Sequence, residues 1–329
     1  MNGHGNLFEM GIIMIQDIFK NNCFIEGNFI TLCSSSESNN QEQTNQCFSE
    51  KWSEYEKTKE KEKLYDMQKK WYLELYGFVS ESELATFLQA KKYIFDAGCG
   101  LGYKAKWFAD LAPDSIVIGM DFSDAANIAA KNYSTTENLF FIRGDIADTP
   151  FNDDSIDYIS CDQVIMHTEV PEDTFKELTR ITKKNGGEFA CYVYAKKALP
   201  RELLDDYFRL ETNNISTAEM WDMSKQLTQL GKVLSELNIE VDIPDIPLMG
   251  IEGGKQDLQR FIYWNFLKCF WNQSLGYDTS VATNFDWYSP SNAKRYSESE
   301  YKEMILNSNL EVTYFHKEEA CFSGRFIKN

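Results

Sequence analysis

Histidine is almost absent: 329 residues contain only His4, His167 and His316. Three scattered imidazoles exclude a histidine-built zinc or iron centre, and no metal is expected, although an Asp/Glu magnesium site is not touched by this argument. The eight cysteines include no C-x-x-C pair, which removes the zinc-ribbon pattern. Cys161, Cys191 and Cys269 sit in apolar runs, where a thiol behaves as a small hydrophobe, so reduced thiols inside a cell are the simplest reading. No apolar run is long enough to cross a bilayer. The run MGIIMIQDIF near the start is short, contains Asp17 and has no basic stretch before it, so neither a signal peptide nor a membrane span is expected and the chain reads as cytoplasmic. Positive charge is also scarce, with 33 Lys and Arg against 51 Asp and Glu and a net charge of −18. Such a surface repels phosphate backbones and anionic lipid, which disfavours nucleic-acid and membrane partners.

Aromatic residues are abundant, at 14% of the chain, and require an account. Composition divides the chain. Residues 1–33 form an N-terminal extension with two short apolar runs, read as a small helix and a hairpin. Residues 34–46, SSSESNNQEQTNQ, have no apolar member and read as a polar linker. Residues 47–90 carry charges with aromatics at helical spacing and predict a helical cap. Between 91 and 195 short apolar runs alternate with helical patterns, which predicts a parallel sheet covered by helices on both faces. Residues 196–297 interrupt that alternation with a long, mainly helical insertion, and 298–329 resume it with a helix and two strands. An interruption of that size is expected to be a lid or substrate platform.

The sharpest motif is Asp96-Ala-Gly98-Cys-Gly100-Leu-Gly102, which follows an apolar strand and opens a helix. Glycine serves where a chain turns tightly or lets backbone approach a ligand. A dinucleotide fingerprint would need its third glycine at 103, which is Tyr103. The alternate glycines with an acid two residues before the first resemble motif I of the class I S-adenosylmethionine-dependent methyltransferases. The resemblance is specific over about Tyr93–Tyr194 and extends to the final helix and two strands.

That resemblance implies a doubly wound, seven-stranded Rossmann-like sheet closed by one antiparallel strand, with the insertion between the fifth and sixth strands. S-adenosylmethionine is the implied cofactor. Asp121, ending the next strand before Phe122, corresponds to the acid that binds both ribose hydroxyls; Asp145 and Ile146 correspond to the pair that holds the adenine. Asp162 and Gln163 end the fourth strand, near where the methyl group would face. Tyr55, in the cap, corresponds to an aromatic residue that closes over the methionine end; its other reading is packing of the cap helix onto the sheet. The implied cofactor set is therefore Tyr55, Asp96, Gly98, Gly100, Asp121, Phe122, Asp145, Ile146, Asp162 and Gln163. The implied activity is transfer of a methyl group to O or N of a small metabolite. The alternative within the same fold is cyclisation or elimination of the cofactor with release of methylthioadenosine, as in enzymes that make azetidine carboxylate. Amino-methyltransferases acting on adenine or cytosine would show N/D-P-P-Y/F where this chain has Asp162-Gln-Val-Ile, and Cys161 lies within its strand rather than in a nucleophile motif.

Methyl transfer from a sulfonium is an in-line displacement that depends mainly on alignment, and a base is needed only if the acceptor is protonated. His167, the one histidine near the fourth strand end, is the candidate base; its other reading is a loop-capping side chain. Tyr288, within Asp286-Trp287-Tyr288 at the end of the insertion, is the second catalytic candidate, with an anchor of the lid as its other reading. Arg201, Asp205 and Asp206 occupy a helix whose charges are expected to be solvated, with Arg201 as a carboxylate clamp the sharper alternative. The run Phe261–Trp271, apolar on every face, predicts either buried core or an interface in a homodimer.

Overall fold

The computed structural model describes residues 15–21, 23–32, 61–212 and 214–329. In chain order the elements are β1 (Phe24–Glu26), β2 (Phe29–Thr31), α1 (Lys61–Leu75), α2 (Glu81–Gln89) and β3 (Tyr93–Ala97). They continue with α3 (Tyr103–Leu111), β4 (Ile116–Asp121), α4 (Ala125–Asn132), β5 (Leu139–Arg143), β6 (Tyr158–Cys161), α5 (Pro171–Ile181) and β7 (Glu188–Ala195). Next come α6 (Leu199–Thr212), α7 (Thr217–Glu236), β8 (Glu240–Ile243), β9 (Gly254–Asp257), α8 (Leu258–Asn265) and α9 (Gly276–Tyr288). The chain closes with β10 (Arg295–Tyr296), α10 (Glu298–Asn307), β11 (Leu310–Lys317) and β12 (Cys321–Lys328). Two compact units result: Lys196–Ala293, and the chain on either side of it.

The flanking segments build one sheet in the order β1-β2-β5-β4-β3-β6-β7-β12-β11, with β10 beside β7. Neighbours from β2 to β7 are parallel, while β12 runs antiparallel to both β7 and β11. The expected seven strands are β3 to β7, β11 and β12 without the short additions. The sheet has ten because the N-terminal hairpin and β10 join it. The hairpin pairs Phe29 with Phe141 and Ile30 with Ile142, covering an edge that would otherwise present unpaired backbone groups. The short β10 pairs with Tyr194 and Ala195 as the chain returns from the insertion.

Every residue of β3 is buried, as expected for a strand covered on both faces. Alternate side chains feed two cores. Phe95 joins Ile118, Phe140 and Phe175 on one face, and Ile94 joins Val117, Phe108 and Tyr72 on the other. The second core includes Leu75, Tyr76 and Leu84, so the cap helices α1 and α2 pack directly on the sheet. The order runs β3, β4, β5 to one side and then β6, β7 to the other. That reversal falls at β3 and β6, and the carboxyl ends of strands at such a point are where ligands bind in open α/β sheets.

The unit Lys196–Ala293 contains four helices, α6 to α9, and the antiparallel hairpin β8–β9. The apolar run from Phe261 is not one helix: α8 ends at Asn265, and an irregular strap follows. Side chains satisfy the strap's backbone. Gln259 donates to the Cys269 carbonyl at 2.9 Å, and Asn284 bonds both the N–H and the carbonyl of Phe270, at 2.8 and 3.0 Å. A buried irregular segment requires such partners, which explains polar residues in so apolar a region.

Candidate active site

The glycine turn joins β3 to α3. Gly98, Gly100 and Gly102 have φ of 80°, 51° and 77°, a region L side chains rarely adopt. A Cβ on Gly98 would lie 2.3 Å from the Val164 side chain, so the loop after β6 closes directly on the turn. The N–H groups of Gly98 and Cys99 both donate to the Met120 carbonyl, at 2.8 and 2.9 Å, which ties the turn to the end of β4. Gly100 N–H donates to Asp121 Oδ2 at 2.8 Å. Asp121 Oδ1 accepts from the N–H and hydroxyl of Ser123 at 2.9 and 2.6 Å. These bonds use three of a carboxylate's roughly four acceptor positions and hold it at the turn.

Beside the turn lies a buried charge cluster. Lys104 Nζ stands 3.1 Å from Asp96 Oδ1 and 3.4 Å from Asp162 Oδ2. Tyr76 of α1 donates to Asp162 Oδ1 at 2.9 Å. Tyr72, one turn earlier, shares a 2.6 Å bond with the Tyr158 hydroxyl and donates to Ser160 at 3.2 Å. Asp96 Oδ2 is fully buried without a hydrogen-bond partner. Burial pushes the Asp96 carboxyl up to about 6, against the opposing pull of Lys104. Burial alone would lower Lys104, but Asp96 and Asp162 more than offset it and hold the ammonium above its ordinary value. Two carboxylates and one ammonium leave the ionised cluster one negative charge in excess.

The remaining expected residues fall along the same ends of the strands. Phe122 follows Asp121, and its carbonyl accepts from Arg143 at 3.3 Å. Asp145, two residues beyond β5, accepts from the Ala147 N–H at 2.8 Å, and Ile146 is buried. Gln163 has φ of 62° in the turn after β6. His167 is buried in a short helical turn, Ile165–His167, with Nε2 3.4 Å from the Tyr194 hydroxyl. Tyr55 lies outside the described residues. Lys104, Tyr76 and Tyr72 were not anticipated. A signal for Lys104 exists: it shares a helical face with Trp107 and Phe108, three and four residues on, and that face is buried.

In the unit Lys196–Ala293 the hub is Asp205. Its Oδ2 accepts from Arg201 Nε at 2.7 Å and Trp287 Nε1 at 2.8 Å, and its Oδ1 accepts from the Tyr288 hydroxyl at 2.8 Å. The Tyr288 hydroxyl also accepts from the Lys268 N–H at 3.3 Å. Burial, with Asp205 beside it, pushes Tyr288 well above the ordinary phenol range. The charges of α6 are not solvated as expected. Its buried face is Arg201, Asp205, Arg209 and Thr212, while Leu203, Tyr207 and Leu210 are 64%, 59% and 67% exposed. Arg201 is no free clamp, since Asp205 and the Tyr263 carbonyl take its guanidinium. Asp206 is exposed, as expected.

Residues 95–190 match the family described as a methyltransferase domain. Over 118 residues the chain is 28% identical to a sterol 24-C-methyltransferase of Schizosaccharomyces pombe, covering 35% of this chain and 29% of that protein. Over 114 residues it is 33% identical to an uncharacterised methyltransferase of the same organism, covering 32% of this chain and 39% of that protein. The chain thus spans well under half the length of these curated relatives. A solved S-adenosylmethionine-dependent methyltransferase of Aquifex aeolicus aligns over 77% of this chain and 90% of its own, at 13% identity and a TM-score of 0.40. The doubly wound sheet, the glycine turn and the matched segment define an α/β domain of the nucleotide-cofactor-binding type. Its segment 95–190 is similar to methyltransferase domains of the class I S-adenosylmethionine-dependent type.

Proposed function

We propose that this protein transfers a methyl group from S-adenosylmethionine to an oxygen or nitrogen of a small metabolite. The observation that carries the reading is the buried cluster of Asp96, Lys104 and Asp162 beside the glycine turn, with its one excess negative charge and the orphaned Asp96 Oδ2. A cofactor with an ammonium and a sulfonium against one carboxylate carries the complementary excess, so the residues present fit it. When bound, it supplies an electrophilic methyl group.

The chain's own residues then divide the work. Asp121, pinned by Gly100 and Ser123 with one acceptor position left, would accept from a ribose hydroxyl, and Asp145 with Ile146 would hold the adenine. Asp96 would pair with the ammonium of the methionine tail, while Gly98, Gly100, Phe122, Asp162 and Gln163 would line the pocket. His167, near the end of β6, would take the acceptor's proton where the acceptor carries one, through a ring that Tyr194 orients. Tyr288, the second catalytic candidate, would be a positioning residue within the insertion, since its hydroxyl is committed to Asp205. Among the described residues no group of His, Cys, Asp and Glu is arranged to hold a metal ion, and no helix is long and apolar enough to cross a membrane. The described cysteines are free thiols, in keeping with a cytoplasmic enzyme.

Calorimetry with S-adenosylmethionine and, separately, with NAD tests this reading. The sulfonium cofactor is expected to bind and NAD is not; the reverse would overturn the assignment. Asp121→Ala should weaken cofactor binding by about 1–3 kcal/mol, the cost of a lost charged hydrogen-bond acceptor. An unchanged affinity would remove Asp121 from the ribose site. Incubation with cofactor alone should leave it intact. Methylthioadenosine formed without any acceptor would replace transfer by an intramolecular reaction.

A further inference from the structure

In the unit Lys196–Ala293 the buried charges do not balance locally. Arg201 has Asp205 at 2.7 Å, and Arg209 has the exposed Asp206 at 3.8 Å. Lys268 is only 8% exposed and forms no ion pair with any described residue. Its ammonium faces aromatic rings instead, 4.2 Å from the centroid of Trp287 and 6.0 Å from that of Tyr263. Asp205, the buried carboxylate of this network, is already taken by Arg201, Trp287 and Tyr288. Burial first, and then Arg201, push the Lys268 amine down to about 7, against the contrary pull of Asp205 and Asp286.

A buried cation without a counter-ion is strongly unfavourable. Acidic partners were not in short supply, because the chain carries 51 Asp and Glu against 33 Lys and Arg. A side chain serving only to pack against Trp287 would be more stable as Met or Leu. The position keeps its amine all the same, facing the Trp287 and Tyr263 rings in a network whose buried carboxylate already accepts three hydrogen bonds. A ligand carboxylate would complete the ion pair, and the rings would flank a planar body.

We propose that Lys268, with Trp287 and Tyr263, recognises the carboxylate of a small, flat organic acid. This goes beyond the methyl-transfer reading, which assigns no charge to the acceptor, and it is tested on its own. Full-length protein is titrated calorimetrically at pH 6.5 and constant ionic strength with benzoate, with its uncharged isostere benzamide, and with inorganic phosphate.

Benzoate should bind at least tenfold more tightly than benzamide. That preference should vanish in Lys268→Met and persist in Lys268→Arg, which checks the role of the charge if the Met variant fails to fold. No preference in the wild type, or a preference that survives in a folded Lys268→Met, would overturn the site. Phosphate binding as tightly as benzoate would overturn the assignment to a carboxylate. S-adenosylmethionine affinity, measured alongside, should be the same in the wild type and in Lys268→Met. Failure of the wild type to bind that cofactor would sink the methyltransferase reading while leaving the benzoate result standing.

Discussion

Replacing Lys104 by Met should lower the unfolding free energy by about 3–5 kcal/mol at pH 7, the usual cost of removing one member of a buried charge group. The two carboxylates it separates, Asp96 and Asp162, are both buried, and no other ammonium among the described residues touches either. The loss should shrink on acidification. In the wild type Asp96 already titrates at about 6 in the folded protein, above its ordinary 3.8, so the folded state holds the extra proton between those values. A carboxyl raised in this way costs stability that is absent below the unfolded pKa and fully present above the folded one. Without Lys104 the folded value rises further, and the variant should regain stability relative to the wild type as pH falls from 7 towards 5. Denaturant melts of both proteins across that range provide the measurement. A pH-independent difference would mean that Lys104 acts through packing alone. Asp96→Asn, which removes the excess negative charge of the cluster, should reduce the wild type's own loss of stability as pH rises from about 4 to 6.

Asp205→Ala should cost a comparable amount, about 3–5 kcal/mol, in the other unit. It strands the Arg201 guanidinium, the Trp287 indole N–H and the Tyr288 hydroxyl in a region with little water to replace the carboxylate. Hydrogen exchange reads the effect locally: protection should fall in α6, α8 and α9 and persist in β3, β4 and β6. Equal loss in both sets, or none, would show that Asp205 does not hold this unit together. At a temperature where it remains folded, the variant should bind S-adenosylmethionine normally, because the residues proposed for that cofactor lie in the other unit.

The parallel sheet was legible because its cause is local. Five strands buried on both faces read as continuous apolar runs, with helices between them, and the glycines of 98–102 stand where backbone must take positive φ. The acids at the strand ends were legible for the same reason, since strand boundaries place Asp96, Asp121 and Asp162 without knowledge of any neighbour. The site's electrostatics were not. Lys104 meets Asp162 58 residues away and Tyr76 meets it 86 residues away, and neither encounter leaves a trace in local periodicity.

The reversed face of α6 shows the boundary between the two kinds of information. Its charged and apolar stripes were visible in the sequence, and their period made it a helix. Which stripe turns inward was decided by tertiary partners. Arg201 and Asp205 are buried because Trp287, Tyr288 and the Tyr263 carbonyl, more than 60 residues on, satisfy their hydrogen bonds. Local chemistry by itself determined the elements, the turn and the ends of the strands. The burial of charge was settled only by the fold, because desolvation is offset by contacts that exist once distant segments have met.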